Sequence, residues 1–289
     1  MMIDCHYHLD TRVLPFELLL KKRQESGVNK IALMAPLIEP FPEPAHILIG
    51  MLQFLLTHRP FRPLAQLLAA QFTPEGNIRI LGKGYRIYKD PDNEPVFEAV
   101  RKYPDQFLGW VFVNPRSDKD QVDELQRWRD IPGFVGVKAH SFWHRYDPVE
   151  LFPVAKQLAE INKPLLIHVG FGSHGDYGAL LRRVPNLKLI LAHAGFPQYS
   201  DTWSVIKDKA NVFVDLSQTS YVGEKTTMDV VEFLGVERCI FGTDGPYGFH
   251  GPDGLQDYGF LKCRIEKLFP DQAVQKKLLG QNFIKIAGI

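Results

Sequence analysis

Short apolar runs alternate with stretches of helical period along most of this chain, and that alternation is the first thing it declares. The opening run, Ile3-Asp4-Cys5-His6-Tyr7-His8, reads as a strand over 3–8 with Asp4, His6 and His8 on one face and Ile3, Cys5 and Tyr7 on the other. Residues 15–26 place Phe16, Leu19 and Leu20 among charges and stop at Gly27, which predicts a helix. A buried strand over 29–34 follows. The pattern then breaks from 36 to 91, an insert that opens with Pro36, Pro40, Pro42 and Pro44 and holds two predicted helices, 45–57 and 63–72. A connection of that length usually has a function of its own. The repeat resumes with a helix at 94–102, a strand at 108–113, a helix at 118–129 and a strand at 134–139. Asp147-Pro148 is an N-cap with proline at the first helical position, which starts a helix running to about 161. Strands over 164–169, 187–192, 211–216 and 238–242 complete eight. Continuous apolar runs such as Leu165-Leu166-Ile167 suit a parallel sheet covered by helices, so the expected fold is α/β, a (β/α)8 TIM barrel in a single domain over 1–289.

Composition narrows the function classes. The 289 residues are 45% hydrophobic and 23% charged, enough to bury a sizeable core without a disorder signature. Lys plus Arg (34) balance Asp plus Glu (33), so no global field recruits nucleic acid or an anionic membrane, and neither is expected as a partner. Cys5, Cys239 and Cys263 are too few and too scattered for a disulfide framework, which predicts a reducing compartment, the cytoplasm by default. With the first strand beginning at residue 3, a cleaved signal peptide is not expected. The apolar run over 47–56 is interrupted by Gln53 and is shorter than the ~20 residues a membrane span needs, so it reads as a buried helix. The insert leaves strand two at the catalytic end of a barrel, and its helices are expected to cover the mouth or to form the contact of a homo-oligomer.

Catalytic groups of such barrels come from the C-terminal ends of the strands. His6 and His8 end the first, Lys138 and His140 the fourth, His168 the fifth and His193 the sixth, while Asp244 follows the eighth. Each alone has a structural reading: a hydrogen-bonded core histidine, or a turn aspartate in Gly242-Thr243-Asp244-Gly245-Pro246. Together they place ligand-type side chains around one mouth, where unmetallated imidazoles would repel one another on protonation. That predicts a metal site. Substrate contacts are expected in the loops that follow: His140, Trp143, His144 and Arg145; Phe171, Ser173 and His174; Tyr247 and His250.

The chain resembles the amidohydrolase superfamily, specifically its amidohydrolase-related branch. The matching stretches are residues 3–8, Phe134-Val135-Gly136-Val137-Lys138-Ala139-His140, Pro164-Leu165-Leu166-Ile167-His168, Leu189-Ile190-Leu191-Ala192-His193-Ala194-Gly195, Ile240-Phe241-Gly242-Thr243-Asp244-Gly245-Pro246 and Leu279-Gly280-Gln281-Asn282-Phe283. The resemblance implies a divalent metal, most often Zn2+, at His6, His8, His168 and Asp244. His193 matches a position that binds a second metal in some members and acts on the substrate in others. It also implies hydrolysis of an amide, lactone or other ester-like bond of a small molecule by an activated water, with Asp244 as base, His193 polarising the carbonyl and Lys138 catalytic. The branch also contains non-oxidative decarboxylases of small carboxylic acids, the alternative reading. The start is similar as well to the TatD-type nucleases, but those place a glutamate on strand four where this chain has Lys138. A non-catalytic metal-binding protein would lack the base that Asp244 supplies. Some binuclear relatives carbamylate a lysine at the place of Lys138. Since two histidines in His-x-His, a third histidine and an aspartate already complete a site, one metal and an unmodified Lys138 are expected here.

Overall fold

The computed structural model describes residues 1–41, 46–69, 71–80, 82–247 and 257–289. Its strands are β1 (Ile3–His8), β2 (Lys30–Met34), β3 (Ile78–Ile80), β4 (Lys83–Tyr85), β5 (Phe107–Phe112), β6 (Phe134–His140), β7 (Leu165–His168), β8 (Leu189–Leu191), β9 (Val212–Asp215) and β10 (Cys239–Ile240). The pair β3 and β4 forms a small antiparallel hairpin, and the other eight lie in one sheet in the order β1-β2-β5-β6-β7-β8-β9-β10 with every ladder parallel. Three backbone hydrogen bonds close the seam between its ends. Cys5 N–H donates to the Phe241 carbonyl (3.2 Å), Asp244 N–H to that of His6 (2.8 Å) and His8 N–H to that of Gly245 (2.6 Å). The result is a (β/α)8 barrel.

The helices are α1 (Phe16–Glu25), α2 (His46–Thr57), α3 (Arg62–Ala69), α4 (Glu94–Lys102), α5 (Gln121–Trp128), α6 (Ser141–His144), α7 (Phe152–Glu160), α8 (Tyr177–Arg183), α9 (Ser200–Ile206), α10 (Glu224–Leu234), α11 (Tyr258–Leu268), α12 (Gln272–Lys276) and α13 (Asn282–Ala287). Local chemistry sets their ends. Asp120 caps α5 by accepting from the amides of Val122 (2.7 Å) and Asp123 (3.1 Å). After Asp147 the chain takes one 3-10 turn, Pro148–Leu151, before α7. Among the described residues no helix is long and apolar enough to cross a membrane.

Two hydrophobic layers hold the barrel. Inside, Ile3, Cys5, Met34, Trp110, Leu166 and Ile190 pack with Phe283 and Ile286 of α13. The carbonyls of Ile286 and Ala287 accept from Lys188 Nζ (3.0 Å) and Lys163 Nζ (2.6 Å), lysines that precede β8 and β7. Helix α13 therefore plugs the N-terminal end and leaves the C-terminal end as the mouth. Outside, a second layer including Leu33, Val111, Leu125, Trp128, Leu158 and Val214 joins sheet to helices. Each fully buried side chain of this size is worth roughly 1.5–3 kcal/mol relative to exposure. Gly136 is required where β6 meets β7: its φ is +154°, and a Cβ there would run into the Pro164 carbonyl and approach Trp110 Cζ3 to 2.8 Å.

Three expectations need correction. Asp4 does not share a face with His6 and His8. The β1–β2 register shifts between Asp4 and Tyr7, so Asp4 points outward to Tyr258 (2.8 Å) while Tyr7, three residues on, stacks on the same tyrosine. This is the signature of a bulge that inserts one residue and turns His6 inward. The helix α2, expected to be buried, exposes Leu48, Met51 and Phe54. The insert also contains the β3–β4 hairpin, unseen in the pattern because strands of three residues carry no alternation. Pro42, Pro44 and His250 lie outside the described residues.

The insert packs on the mouth side of the barrel. Leu37, Ile38, Ile78, Tyr85 and Ile87 cluster with Phe112 at the end of β5 and with Trp143. Arg62 pairs with Asp201 at the start of α9 and donates to the Gln198 carbonyl (3.3 Å). Phe72 meets Phe142 edge-on, with centroids 5.9 Å apart.

Candidate metal centre

The bulge in β1 aims His6 into the mouth, and His8 follows two residues later on the same side. One nitrogen of each ring is taken by a partner that can only accept. His6 Nδ1 donates to Asp215 Oδ2 (2.9 Å), and His8 Nδ1 donates to the Ala35 carbonyl (2.8 Å) at the end of β2. Each Nε2 therefore carries the lone pair of its ring, and the two converge on one carboxylate oxygen: Asp244 Oδ1 lies 3.2 Å from His6 Nε2 and 3.5 Å from His8 Nε2. A tetrahedral ion with bonds of about 2.0–2.1 Å sets its ligand atoms about 3.3 Å apart, so the spacing fits a small divalent cation. The outer partners Asp215 and Ala35 are the kind of second layer that fixes ring orientation in metal sites.

Asp244 sits at φ 61°, in the left-handed region, in the loop that crosses the seam. Asp4 holds that loop from outside the barrel, accepting from Thr243 N–H (3.0 Å) and Thr243 O–H (2.6 Å). Gln218 Nε2 donates to Asp244 Oδ2 (3.1 Å). Lys138, fully buried at the end of β6, donates from Nζ to His6 Nε2 (3.0 Å), so a cation already faces this lone pair.

A second triad, His6, His193 and Asp215, also has its ligand atoms within 4.8 Å of one another. It does not suit an ion. Asp215 Oδ1 accepts the amide N–H groups of His193 (2.9 Å) and Ser217 (3.0 Å), and those hydrogens would face the metal. Here the carboxylate is a hydrogen-bond hub.

Burial dominates the electrostatics. It pushes His8 and His168 down to about 3 and His6, His193 and His140 well below the usual histidine range, with the Lys138 charge adding to each. Neutral imidazole is the form that ligates metals. Burial likewise lowers Lys138 and raises Asp244, each partly restored by the attraction between them.

The other expected site residues fall into place around this core. His168 Nδ1 is 3.1 Å from His193 Nε2, and its ring stacks on His140 at 4.0 Å; it stands beside the His6–His8–Asp244 triad rather than within it. His140 accepts the Trp143 amide (3.2 Å), and Trp143 stacks on it. His144 turns away, donating from Nε2 to the Tyr88 carbonyl (3.0 Å). Arg145 is exposed over Phe72. Tyr247 donates to Asp10 (3.0 Å), which also binds Arg12. Phe171 packs edge-on against Phe142, and the His174 carbonyl accepts from Ser141. Sequence reasoning missed Asp215, Ser217 and the outward task of Asp4. Asp215 and Ser217 alternate at the end of β9, the strand-end signal that singled out the histidines.

A family model described as amidohydrolase matches residues 3–286. The chain belongs to the amidohydrolase family. No match was found among curated proteins. Solved structures similar to this amidohydrolase include a protein from Pseudomonas putida assigned as a 2-pyrone-4,6-dicarboxylic acid hydrolase (TM-score 0.64, 16% identity, 99% of this chain and 97% of that one). The 5-carboxyvanillate decarboxylase of Sphingomonas paucimobilis gives a TM-score of 0.63 at 15% identity over 100% and 99%. That of Novosphingobium aromaticivorans, complexed with manganese, gives 0.61 at 14% over 100% and 96%. At such identities the likeness speaks for the barrel alone. The family and the donor set together support a divalent metal in an enzyme of the amidohydrolase type.

Proposed function

We propose that the protein is a metal-dependent hydrolase that opens an amide, lactone or other ester-like bond in a small carboxylate-bearing molecule. The observation that carries this reading is the convergence of His6 Nε2 and His8 Nε2 on Asp244 Oδ1, at 3.2 and 3.5 Å. On it, His6, His8 and Asp244 hold one divalent cation, zinc by preference for a nitrogen-rich set, and His168 supplies a further ligand. A bound cation would supply Lewis acidity towards a carbonyl and acidify water from ~15.7 towards ~7. Asp244 takes the proton of the attacking water on a carboxylate oxygen and returns it to the leaving group. Lys138, unmodified, keeps its ammonium for a substrate carboxylate. His140 and Trp143 line the approach, with His144, Arg145 and Tyr247 supporting its walls. The insert over 36–91 acts as a lid that excludes bulk water. The three free cysteines fit the cytoplasm.

Decarboxylation is the second reading. It is favoured by Lys138, a buried cation beside the triad, and by the aromatic rings around the imidazoles: Phe112 lies 6.2 Å from His8, and Tyr221 5.6 Å from His193. The solved neighbours named for dihydroxybenzoate and carboxyvanillate decarboxylation and for oxalomesaconate hydration act on carboxylic acids, which supports that substrate class under either reading. A zinc- or manganese-loaded sample screened against lactones, esters and amides of small acids, with carbon dioxide measured in parallel on aromatic carboxylic acids, separates the two. Metal-dependent hydrolysis abolished by Asp244→Asn is the expected result. Carbon dioxide release with no hydrolytic turnover would establish the second reading, and full activity in chelator-treated protein would refute both.

A further inference from the structure

The hydroxyl of Ser217 joins Asp215 to His193. Its Oγ donates to Asp215 Oδ1 and stands 2.8 Å from His193 Nδ1 and 3.2 Å from His6 Nδ1. A hydroxyl has one hydrogen. With that hydrogen on Asp215, the Ser217 oxygen is left to accept, so His193 Nδ1 must carry a proton. The opposite arrangement would press two bare oxygens together at the Asp215 contact. Each buried, neutral imidazole holds one ring proton, so His193 Nε2 is then a lone pair. Its neighbour 3.1 Å away, His168 Nδ1, must be the donor of that bond. The ring proton of His168 is thereby committed to Nδ1, which leaves Nε2 as its free lone pair. His6 reaches the same state directly, since both acceptors at its Nδ1, Asp215 Oδ2 and Ser217 Oγ, require a proton there. His8 reaches it through the Ala35 carbonyl.

We infer that Ser217 is a positioning residue: relayed through His193, its hydrogen bond to Asp215 sets the tautomer of His168, so that all three expected histidine ligands present Nε2 to the metal. The inference rests on the metal-dependent reading of the same mouth. It assigns His193 to the orientation of His168, because both ring nitrogens of His193 are already spent on protein partners. It also explains why Asp215 accepts four hydrogens: one from His6, one from Ser217 and two from backbone amides. Those amides lock the carboxylate in place, and the lock passes along the chain of side chains to a ligand on another strand.

The test uses two measurements on the full-length protein. In chelator-treated protein with 15N-labelled histidine, long-range 1H–15N spectra report which ring nitrogen bears the proton, with signals assigned by loss in single-histidine variants. His6, His8, His168 and His193 should all show the Nδ1–H form, which is the minor one for free imidazole in water. In Ser217→Ala the hydroxyl acceptor is gone and Asp215 Oδ1 stands 3.9 Å from His193 Nδ1, too far for a hydrogen bond, so both tautomers should be populated at His193 and His168. Zinc affinity, measured by competition with a chromophoric chelator, should fall roughly 10- to 100-fold in Ser217→Ala and recover in Ser217→Thr. Wild-type His168 or His193 in the Nε2–H form would overturn the inference, as would a Ser217→Ala variant with unchanged spectra and affinity. If Ser217→Ala does not fold, the wild-type spectra and the Ser217→Thr affinity still decide. Failure of the wild-type protein to take up zinc would count against the metal-dependent reading alone, because the tautomers are read without metal.

Discussion

Replacing Gly136 by alanine should damage the barrel and the site together. Gly136 lies two residues before Lys138 on β6, at φ +154°, and an added Cβ would collide with the Pro164 carbonyl while coming within 2.8 Å of Trp110. The first obstacle is backbone and cannot rotate away, and the second is a ring packed inside the barrel. A side chain forced into that conformation costs of order 1–3 kcal/mol, and overpacking a filled core typically costs another 1–3, so the variant should lose roughly 2–6 kcal/mol. For 289 residues the unfolding entropy is about 0.6 kcal/mol per kelvin, which places the fall in melting temperature at about 3–10 °C. Relief comes only by moving β6 off β7, where Lys138 pairs with Leu166 and His140 with His168, so turnover should drop as well. Thermal unfolding of chelator-treated protein is the assay. Gly223→Ala is the control, since its Cβ meets nothing within 4 Å and its φ is −68°. If Gly136→Ala melts within about 1 °C of wild type, a spread typical of neutral surface changes, the steric argument is wrong.

Other outcomes follow from the same geometry. The double variant His6→Ala/His8→Ala should hold no metal by elemental analysis yet keep the far-ultraviolet dichroism of the barrel, because the packed layers lie below the mouth; retained metal would exclude these two as ligands. Asp215→Ala leaves the amides of His193 and Ser217 without their acceptor, roughly 1–3 kcal/mol each, and an unchanged urea midpoint would contradict its role as a hub. His144 is buried and pushed down to about 4 from 6.5. The unfolded chain therefore takes up the proton first as pH falls. The contribution of neutral His144 is complete above pH 6.5 and is lost by about 3 kcal/mol on descending to pH 4. His144→Gln, which can still donate to Tyr88, should flatten the stability profile in that window, and a slope identical to wild type would refute the assignment.

The barrel was legible because buried parallel strands leave continuous apolar runs and because polar residues sit at their C-terminal ends. His6, His8, Lys138, His140, His168, His193 and Asp244 all satisfy that positional rule, and the fold gathers them around one mouth. Period alone failed where one residue breaks the period. The bulge in β1 sends Asp4 outward to Thr243 and Tyr258, and a one-residue insertion leaves no mark in a run of six. Asp215 carries the same strand-end signal and was passed over for another reason: at the end of an apolar strand a lone carboxylate also looks like the start of a turn, and the contact with His6, 209 residues earlier, is what fixes its use. The apolar face of α2 reads as core in sequence, because hydrophobicity specifies that a surface should be covered and does not say by what.

The seam of the barrel makes the centre depend on closure of the sheet. His6 and His8 stand on β1 and Asp244 more than two hundred residues further along the chain, and the bonds that draw them together, Asp244 N–H to the His6 carbonyl and His8 N–H to the Gly245 carbonyl, are the ones that close the sheet. An open seam therefore parts the His-x-His pair from its carboxylate. Metal retention is thereby a reporter of closure: an opening confined to the seam would leave the seven parallel ladders paired and still separate the groups that hold the ion.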